Sequence, residues 1–400
     1  MPVRKPAPFA WEHDAYKTNY HDCGLTGYTG LDYHTVARLS VMLAARSQIG
    51  TRGFYKAGLA ELPNGDLIVS PVNMLEPKEK IQGPAAYGYF AESLRVRLHK
   101  SKDKGRTWQP IEDHTPLYGK EGAIVCTKKG NLLLMTESMN GIAWSADQGK
   151  TWEVTHFDIE RDAPYQGVGA CRNVIEHADG TLSFMRCLGT SEGMAPEGKT
   201  PPKCRAWLYH STDDGRTWPD RTEIETWDDT FPLFVEADFC RLPNGTILSS
   251  SRFEWEHPLA GKPLPYPPGK MPNDHAAGHM VLIESRDEGR TWSKPREFLQ
   301  YSEVQGQLTL LRDGRLLCTY THYHLPFGVA AVMSDDNGKT WDFDHPFQLA
   351  LSNACCTGWA TTRQLQDDTL LTVYALEPYH LEPKENGRMV CHCVRWEMPT

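Results

Sequence analysis

The eight residues "SADQGKTW" (145–152) have four counterparts in this chain: "SKDKGRTW" (101–108), "STDDGRTW" (211–218), "SRDEGRTW" (285–292) and "SDDNGKTW" (334–341). The shared pattern is Ser-x-Asp-x-Gly-x-Thr-Trp, with Lys or Arg always ahead of the Thr. Each fixed position suits a tight β-hairpin. Ser and Asp side chains bond the amides of the turn that follows. Gly adopts a positive φ without strain. Thr restarts an extended strand, and Trp offers a large apolar face to an underlying sheet. Chance does not produce six shared positions in five copies. The copies begin 44, 66, 74 and 49 residues apart, so one supersecondary unit is repeated along the chain.

A second repeat lies between these turns. Its members are "AGLAELPNGDLIV" (57–69), "GAIVCTKKGNLLLM" (122–135), "CRNVIEHADGTLSFM" (171–185), "ADFCRLPNGTILSS" (237–250), "QLTLLRDGRLLCTY" (307–320) and "TTRQLQDDTLLTVY" (361–374). Each reads as strand, polar turn, strand, with Asn-Gly or Asp-Gly at the turn in four of the six. The order is constant: hairpin, a third strand, the repeated turn, a fourth strand. Six four-stranded units without a long amphipathic helix predict an all-β chain folded as a six-bladed β-propeller. The sixth unit lacks the turn motif. Its outer strands are expected from "RMVCHCVRWEMP" (388–399) and from an amino-terminal strand such as "TVARLSVML" (35–43), which would close the ring. Seven blades remain open if residues 1–50 form one of their own. No linker marks a second domain, so residues 1–400 read as one propeller, with 1–50 as an extension and closing strand. Two Pro/Gly-rich insertions, 190–203 and 257–279, account for the two long intervals and suit the walls of a ligand cleft.

Composition narrows the partners. A net charge of −9 does not suit a nucleic-acid or anionic-membrane surface. No secretory leader and no run of about 18 apolar residues is seen, which implies a cytoplasmic protein. Eleven scattered cysteines read as reduced thiols. "CHC" (391–393) lacks zinc-site spacing and fits alternating side chains on a strand, so no metal or cofactor is assigned. Oligomeric state is not legible.

The repeated turn resembles the Asp-box, or BNR repeat, of the sialidase superfamily, over roughly residues 50–395. The resemblance implies a pocket on the propeller axis, where the innermost strands begin, with three arginines around a substrate carboxylate, a tyrosine nucleophile supported by a glutamate, and an aspartate acid/base. At the start of blade 1, "FYKAGL" has Lys56 where the family has arginine. "VEADFCRLPNGTILSSSR" supplies Glu236 for the glutamate and, sixteen residues on, Arg252 for the second arginine. "VQGQLTLL" resembles the family's blade-five segment and directs Gln305 to the pocket. "THYHLPFG" offers His322 and His324 in place of the third arginine. "CCTGWATTRQL" puts Trp359 where tyrosine is expected, and an indole cannot act as that nucleophile. The loop ahead of "SLRVRLHKS" has Tyr87, Tyr89 and Glu92 but no aspartate.

Three functions follow. An exo-acting glycoside hydrolase on an acidic or otherwise decorated sugar would use Glu236, with Glu92 or Asp238 as the second carboxylate. Lys56 and Arg252 would meet the substrate's charge, and Trp359 would stack on its ring. Arg172 and Arg363, which begin inner strands, are further candidates for an anionic ligand. A lyase on uronic-acid glycosides would need a cation to neutralise the carboxylate and a His or Tyr to remove the adjacent proton. A sugar-binding propeller without catalysis is the third. Against all three stands the plain reading, in which Glu236 and Arg252 form an ion pair and Trp359 only packs.

Overall fold

The computed structural model describes residues 44–80, 92–111, 115–119, 122–136, 141–156, 168–170, 172–188, 205–224, 235–253, 279–299, 303–322, 327–352, 358–376 and 389–398. The insertion at 190–203, all but the last residue of the one at 257–279, and residues 35–43 lie outside them. Every described element is a strand, and among the described residues no helix is long and apolar enough to cross a membrane.

Six antiparallel sheets of four or five strands follow one another along the chain, beside two two-stranded pairs, Phe54–Tyr55 with Val72–Asn73 and Glu79–Lys80 with Glu92–Ser93. Blade 1 runs from Leu59–Glu61 through Leu67–Val69 and His99–Ser101 to Gln109–Pro110. Blade 2 is Ala123–Cys126, Leu132–Met135, Ile142–Ser145 and Glu153–Thr155. Blade 3 opens with Val168–Ala170 and Ile175–Glu176, which pair with Leu182–Leu188, followed by Arg205–Ser211 and Asp220–Ile224. Blade 4 is Val235–Arg241, Ile247–Phe253, His279–Ser285 and Arg296–Glu297; blade 5 is Glu303–Leu310, Leu316–His322, Gly328–Ser334 and Phe347–Leu351. Blade 6 takes Gly358–Gln364, Leu370–Leu376 and Val390–Trp396 from the carboxyl end, and its outer strand is Ala45–Ile49. The closing strand is thus 45–49, a polar segment, where the sequence suggested the apolar 35–43. An outermost strand has one face in water, and "ARSQI" is exposed over most of its length.

Middle strands are buried on both faces because both faces of each blade press on a neighbour, and the polar residues they carry are small hydroxyl groups for the most part. All seven residues of "LLCTYTH" (316–322) are buried, and so are all four of "LLLM" (132–135). The core is therefore spread between blades: Leu133, Leu182, Leu208, Ala237 and Ile283 join blades 2, 3 and 4 in one cluster. Burying such side chains supplies about 1.5–3 kcal/mol each.

The repeated turn is stitched as its residues require. In the copy at 145–152, Ser145 Oγ donates to Asp147 Oδ1 (2.9 Å) and accepts from the Gly149 amide (2.9 Å). Asp147 also accepts from the Thr151 amide (2.8 Å) and hydroxyl (2.6 Å). Trp152, Trp218, Trp292 and Trp341 each donate from Nε1 to the carbonyl of their own turn glycine, at 2.9–3.1 Å. Trp108 differs. It donates to Ser47 Oγ (3.1 Å), which itself donates to the Gly105 carbonyl (2.5 Å). The closing strand has entered this turn, and that is the seam of the ring.

The turn glycines also lie against the preceding blade. A Cβ on Gly215 (blade 3) would meet Leu133 Cδ2 of blade 2 at 2.5 Å, one on Gly289 (blade 4) would meet Leu208 Cδ2 of blade 3 at 2.5 Å, and one on Gly105 (blade 1) would meet Leu371 Cδ1 of blade 6 at 3.1 Å. The last contact closes the circle.

Candidate functional site

Inner strands converge through polar contacts that skip from blade to blade. Ala57 bridges Gly122 in parallel, so blades 1 and 2 run side by side at their inner edge. Gly58 permits this approach, since a Cβ there would lie 2.6 Å from the Gly122 carbonyl oxygen. The Leu308 amide of blade 5 donates to Asp238 Oδ2 of blade 4 (2.8 Å). The Thr362 amide of blade 6 donates to Gln307 Oε1 of blade 5 (2.8 Å), and Thr361 Oγ1 donates back to the Ala57 carbonyl (3.3 Å).

One backbone device recurs where these strands begin. In blade 5, Val304 pairs with Thr321 but Gln307 pairs with Thr319, so one extra residue is inserted. Blade 4 does the same between Val235 and Asp238, and blade 6 between Gly358 and Thr361. Blade 1 gains its extra residue between Tyr55, opposite Val72, and Leu59, opposite Val69. A bulge of this kind re-aims a side chain that regular alternation would send to a blade face. Lys56, Gln305 and Trp359 each follow the last regularly paired residue, and all three have positive φ: 49°, 61° and 44°. Left-handed backbone at a bulky non-glycine residue is strained, and blades 1, 5 and 6 share it at this level. Glu236 holds the corresponding backbone position in blade 4.

The site lies on a small pocket, partly open to solvent, whose described polar lining residues are Lys56, Arg172, Trp359 and Thr361. Two of its described lining residues are cationic and none is acidic. Lys56 Nζ sits 4.1 Å from the centre of the Trp359 ring and 5.5 Å from that of Tyr55. Tyr55 meets Trp359 edge-on at 4.6 Å, and the Trp359 amide donates to Gln305 Oε1 (3.1 Å). Lys56, Trp359, Tyr55 and Gln305 therefore form one buttressed group from blades 1, 5 and 6. Tyr55 went unread in the sequence because strict alternation would separate it from Lys56; the bulge removes that alternation.

Arg172, buried at 8% exposure, is held through its amide, which donates to the Ala237 carbonyl (3.1 Å), while Asn173 reaches the Phe239 carbonyl (3.3 Å). Arg363 crosses from blade 6 toward blade 3, donating to Asn173 Oδ1 (3.5 Å) and the Thr362 carbonyl (3.3 Å). Burial pushes its guanidinium down, against the pull of Asp238. Asp238 is wholly buried. Desolvation pushes its carboxyl up, opposed by Arg363, the Leu308 amide and Arg172. Its role in the fold is clear: it pins the inner strand of blade 5.

Arg252, 2% exposed, stands opposite Val235, so the sixteen-residue spacing is the hairpin that returns the chain beside Glu236. His322, buried and opposite Glu303 in the register, lies 2.8 Å from Gln348 Nε2. Gln348 also bonds the Val329 and Ala350 carbonyls, which anchors this histidine within blade 5. Glu303 and Arg186, each 1% exposed, are buried charges that the sequence analysis did not single out. The side chains of Glu236 and Glu92, and residues Tyr87, Tyr89 and His324, lie outside the described residues.

A profile for the BNR repeat-like domain matches residues 264–373. No curated protein matches by sequence. Among solved structures, a protein of unknown function from Dyadobacter fermentans superposes with a TM-score of 0.63 at 16% identity, over 89% of this chain and 99% of its own. An α-L-arabinofuranosidase of Fusarium graminearum, solved with arabinobiose, gives 0.56 at 15% identity over 88% and 97%. The NanB sialidase of Streptococcus pneumoniae gives 0.56 at 12% over 86% and 68%. The chain therefore has a six-bladed β-propeller fold with a BNR repeat-like region, similar to the folds of these proteins.

Proposed function

We propose that this protein is a sialidase-like glycoside hydrolase that removes an acidic or otherwise decorated sugar from a chain end, and that the sugar is not sialic acid. The observation that carries the reading is the shared bulge, which sets Lys56, Gln305 and Trp359 at one level and gives Glu236 the matching backbone position. Both the arabinofuranosidase and the sialidases named for the similar structures are glycosidases, which supports the hydrolase class. Trp359 at the position expected for the nucleophilic tyrosine turns the site from sialic acid toward another ring. Its indole would stack on the sugar, with Lys56 supplying a point charge.

Glu236 would serve as nucleophile or base beside the Arg252 cation, stabilising an oxocarbenium-like transition state, with Glu92 from the preceding loop as the acid. Asp238, engaged with the Leu308 amide, is the weaker partner carboxylate. The test is turnover of oligosaccharides carrying terminal uronic acids or neutral sugars. Reducing sugar should appear without the ultraviolet absorbance of an unsaturated uronate, and Glu236→Gln should lower the rate by about 10²–10⁴-fold. Absorbance of that product would establish a lyase instead. No turnover by the wild type would leave a sugar-binding propeller, and full activity in the variant would displace Glu236 from the mechanism.

A further inference from the structure

The fourth residue of the repeated turn reaches back to the preceding blade. Gln148 Oε1 of blade 2 accepts from Lys100 Nζ of blade 1 (3.0 Å), Asp214 Oδ2 of blade 3 accepts from Thr127 Oγ1 of blade 2 (2.8 Å), and Lys104 of blade 1 pairs with Asp367 of blade 6. In blade 4 this residue is Glu288, which bonds Nδ1 of His177 in the hairpin turn of blade 3. Of these four contacts, the last alone holds a side chain that titrates near neutrality.

Behind His177 a line of hydrogen bonds crosses the whole blade. His177 Nε2 is 2.6 Å from Ser183 Oγ, Ser183 Oγ is 2.8 Å from His210 Nδ1, and His210 Nε2 is 3.0 Å from Thr222 Oγ1 on the outer strand. Glu288 fixes the direction of this line. Arg241 bonds it at 2.7 Å and holds its carboxyl below the usual range, so it is ionised and can only accept. His177 Nδ1 therefore carries a proton. While His177 is neutral, its Nε2 accepts from the Ser183 hydroxyl, Ser183 Oγ accepts from His210 Nδ1, and His210 Nε2 accepts from Thr222. That arrangement satisfies every contact.

We propose that His177 and His210 share one added proton through Ser183, and that this proton turns the contact between blades 3 and 4 from a neutral hydrogen bond into an ion pair. The proton enters at His210 Nε2, and the Thr222 hydroxyl turns to accept its hydrogen bond. His210 passes its Nδ1 proton to Ser183 Oγ, and Ser183 passes its own to His177 Nε2. No hydrogen bond is lost, and His210 changes from the Nδ1–H to the Nε2–H tautomer. The positive charge rests on His177, against the Glu288 carboxylate. Burial pushes the His210 imidazole down; His177 and Arg290 add to this, and Asp220 opposes it. His177 has Asp179 in its own turn, while Glu176 beside it is paired with Lys128 of blade 2 (3.0 Å). A second proton is disfavoured, because two imidazolium donors would converge on Ser183 and leave its hydroxyl proton without an acceptor.

Histidine 15N shifts, followed by NMR from about pH 8.5 to about pH 5.5, read both tautomer and charge. At the alkaline end both residues should carry their proton on Nδ1. On acidification His177 should become imidazolium while His210 changes to Nε2–H at the same midpoint. Ser183→Ala should leave His177 titrating and abolish the change at His210. The latch itself is read by urea unfolding of wild type and Glu288→Gln at each pH. The ion pair holds its proton more firmly in the folded protein than in the unfolded chain, so its stabilisation is present at low pH and lost as pH rises. The unfolding constant of Glu288→Gln relative to wild type should therefore grow about threefold or more from pH 8 to pH 6. Comparison with the variant cancels the buried His99 and His392, whose imidazoles burial pushes down and which act in the opposite sense. A neutral His210 with its proton on Nε2, a His210 that charges before His177, a tautomer change that survives Ser183→Ala, or a Glu288→Gln deficit equal at both pH values would each overturn the latch.

Discussion

Gly215 and Gly180 form a matched pair for measuring what the repeated turn contributes between blades. Both have φ of 86°. Around Gly180, at the hairpin turn of blade 3, a Cβ would meet nothing within 4 Å. At Gly215, in the repeated turn of the same blade, it would lie 2.5 Å from Leu133 Cδ2 and 2.9 Å from Cδ1. Leu133 is fully buried in the cluster joining blades 2, 3 and 4, so it has little room to retreat. Gly→Ala at either site carries the left-handed backbone penalty, about 1–2 kcal/mol. Only Gly215→Ala adds the overlap, which forces the packed leucine aside at a further cost of about 1–3 kcal/mol. Urea unfolding followed by circular dichroism should thus place Gly180→Ala about 1–2 kcal/mol below wild type and Gly215→Ala about 2–5 kcal/mol below it. Equal losses would refute the idea that the turn glycine is selected for inter-blade contact as well as for its φ.

Two further outcomes follow from the same geometry. Gln307→Ala strands the buried Thr362 amide at the junction of blades 5 and 6, so thermal unfolding should show a loss of about 1–3 kcal/mol; a neutral result would mean this bond is replaced at no cost. The turn aspartates give an acid limit. Burial tends to raise them, but bonds from the Thr hydroxyl and amide outweigh it and hold Asp103 and Asp147 down to about 2, with Asp213, Asp287 and Asp336 lowered in the same way. Their stabilisation is complete above the unfolded value near 3.8 and is lost as pH falls toward 2. Acid titration should show stability declining through that window, and Asp147→Ala, at neutral pH, should already be about 1–3 kcal/mol down. A wild type equally stable at pH 2 and pH 5 would contradict this.

Sequence alone determined the architecture, because every repeat carries its own local instructions. Ser, Asp, Gly, Thr and Trp at fixed spacing specify a turn whose hydrogen bonds close within eight residues, and Asn-Gly or Asp-Gly hairpins specify the strands between. The Glu236–Arg252 spacing was legible for the same reason: one hairpin closes it. Tertiary structure decided what no local rule covers. The closing strand proved to be 45–49, since an outer edge tolerates polar residues and is recognised only through its partner, Val390–Trp396. The grouping of Lys56, Tyr55, Gln305 and Trp359 depends on bulges that interrupt alternation and on chain segments about 300 residues apart meeting at an axis. Arg172 looked like one strand-starting arginine among others. Only the packed ring shows it buried, unbonded and lining the cavity, because an unmet hydrogen bond is a property of the surroundings and not of the residue.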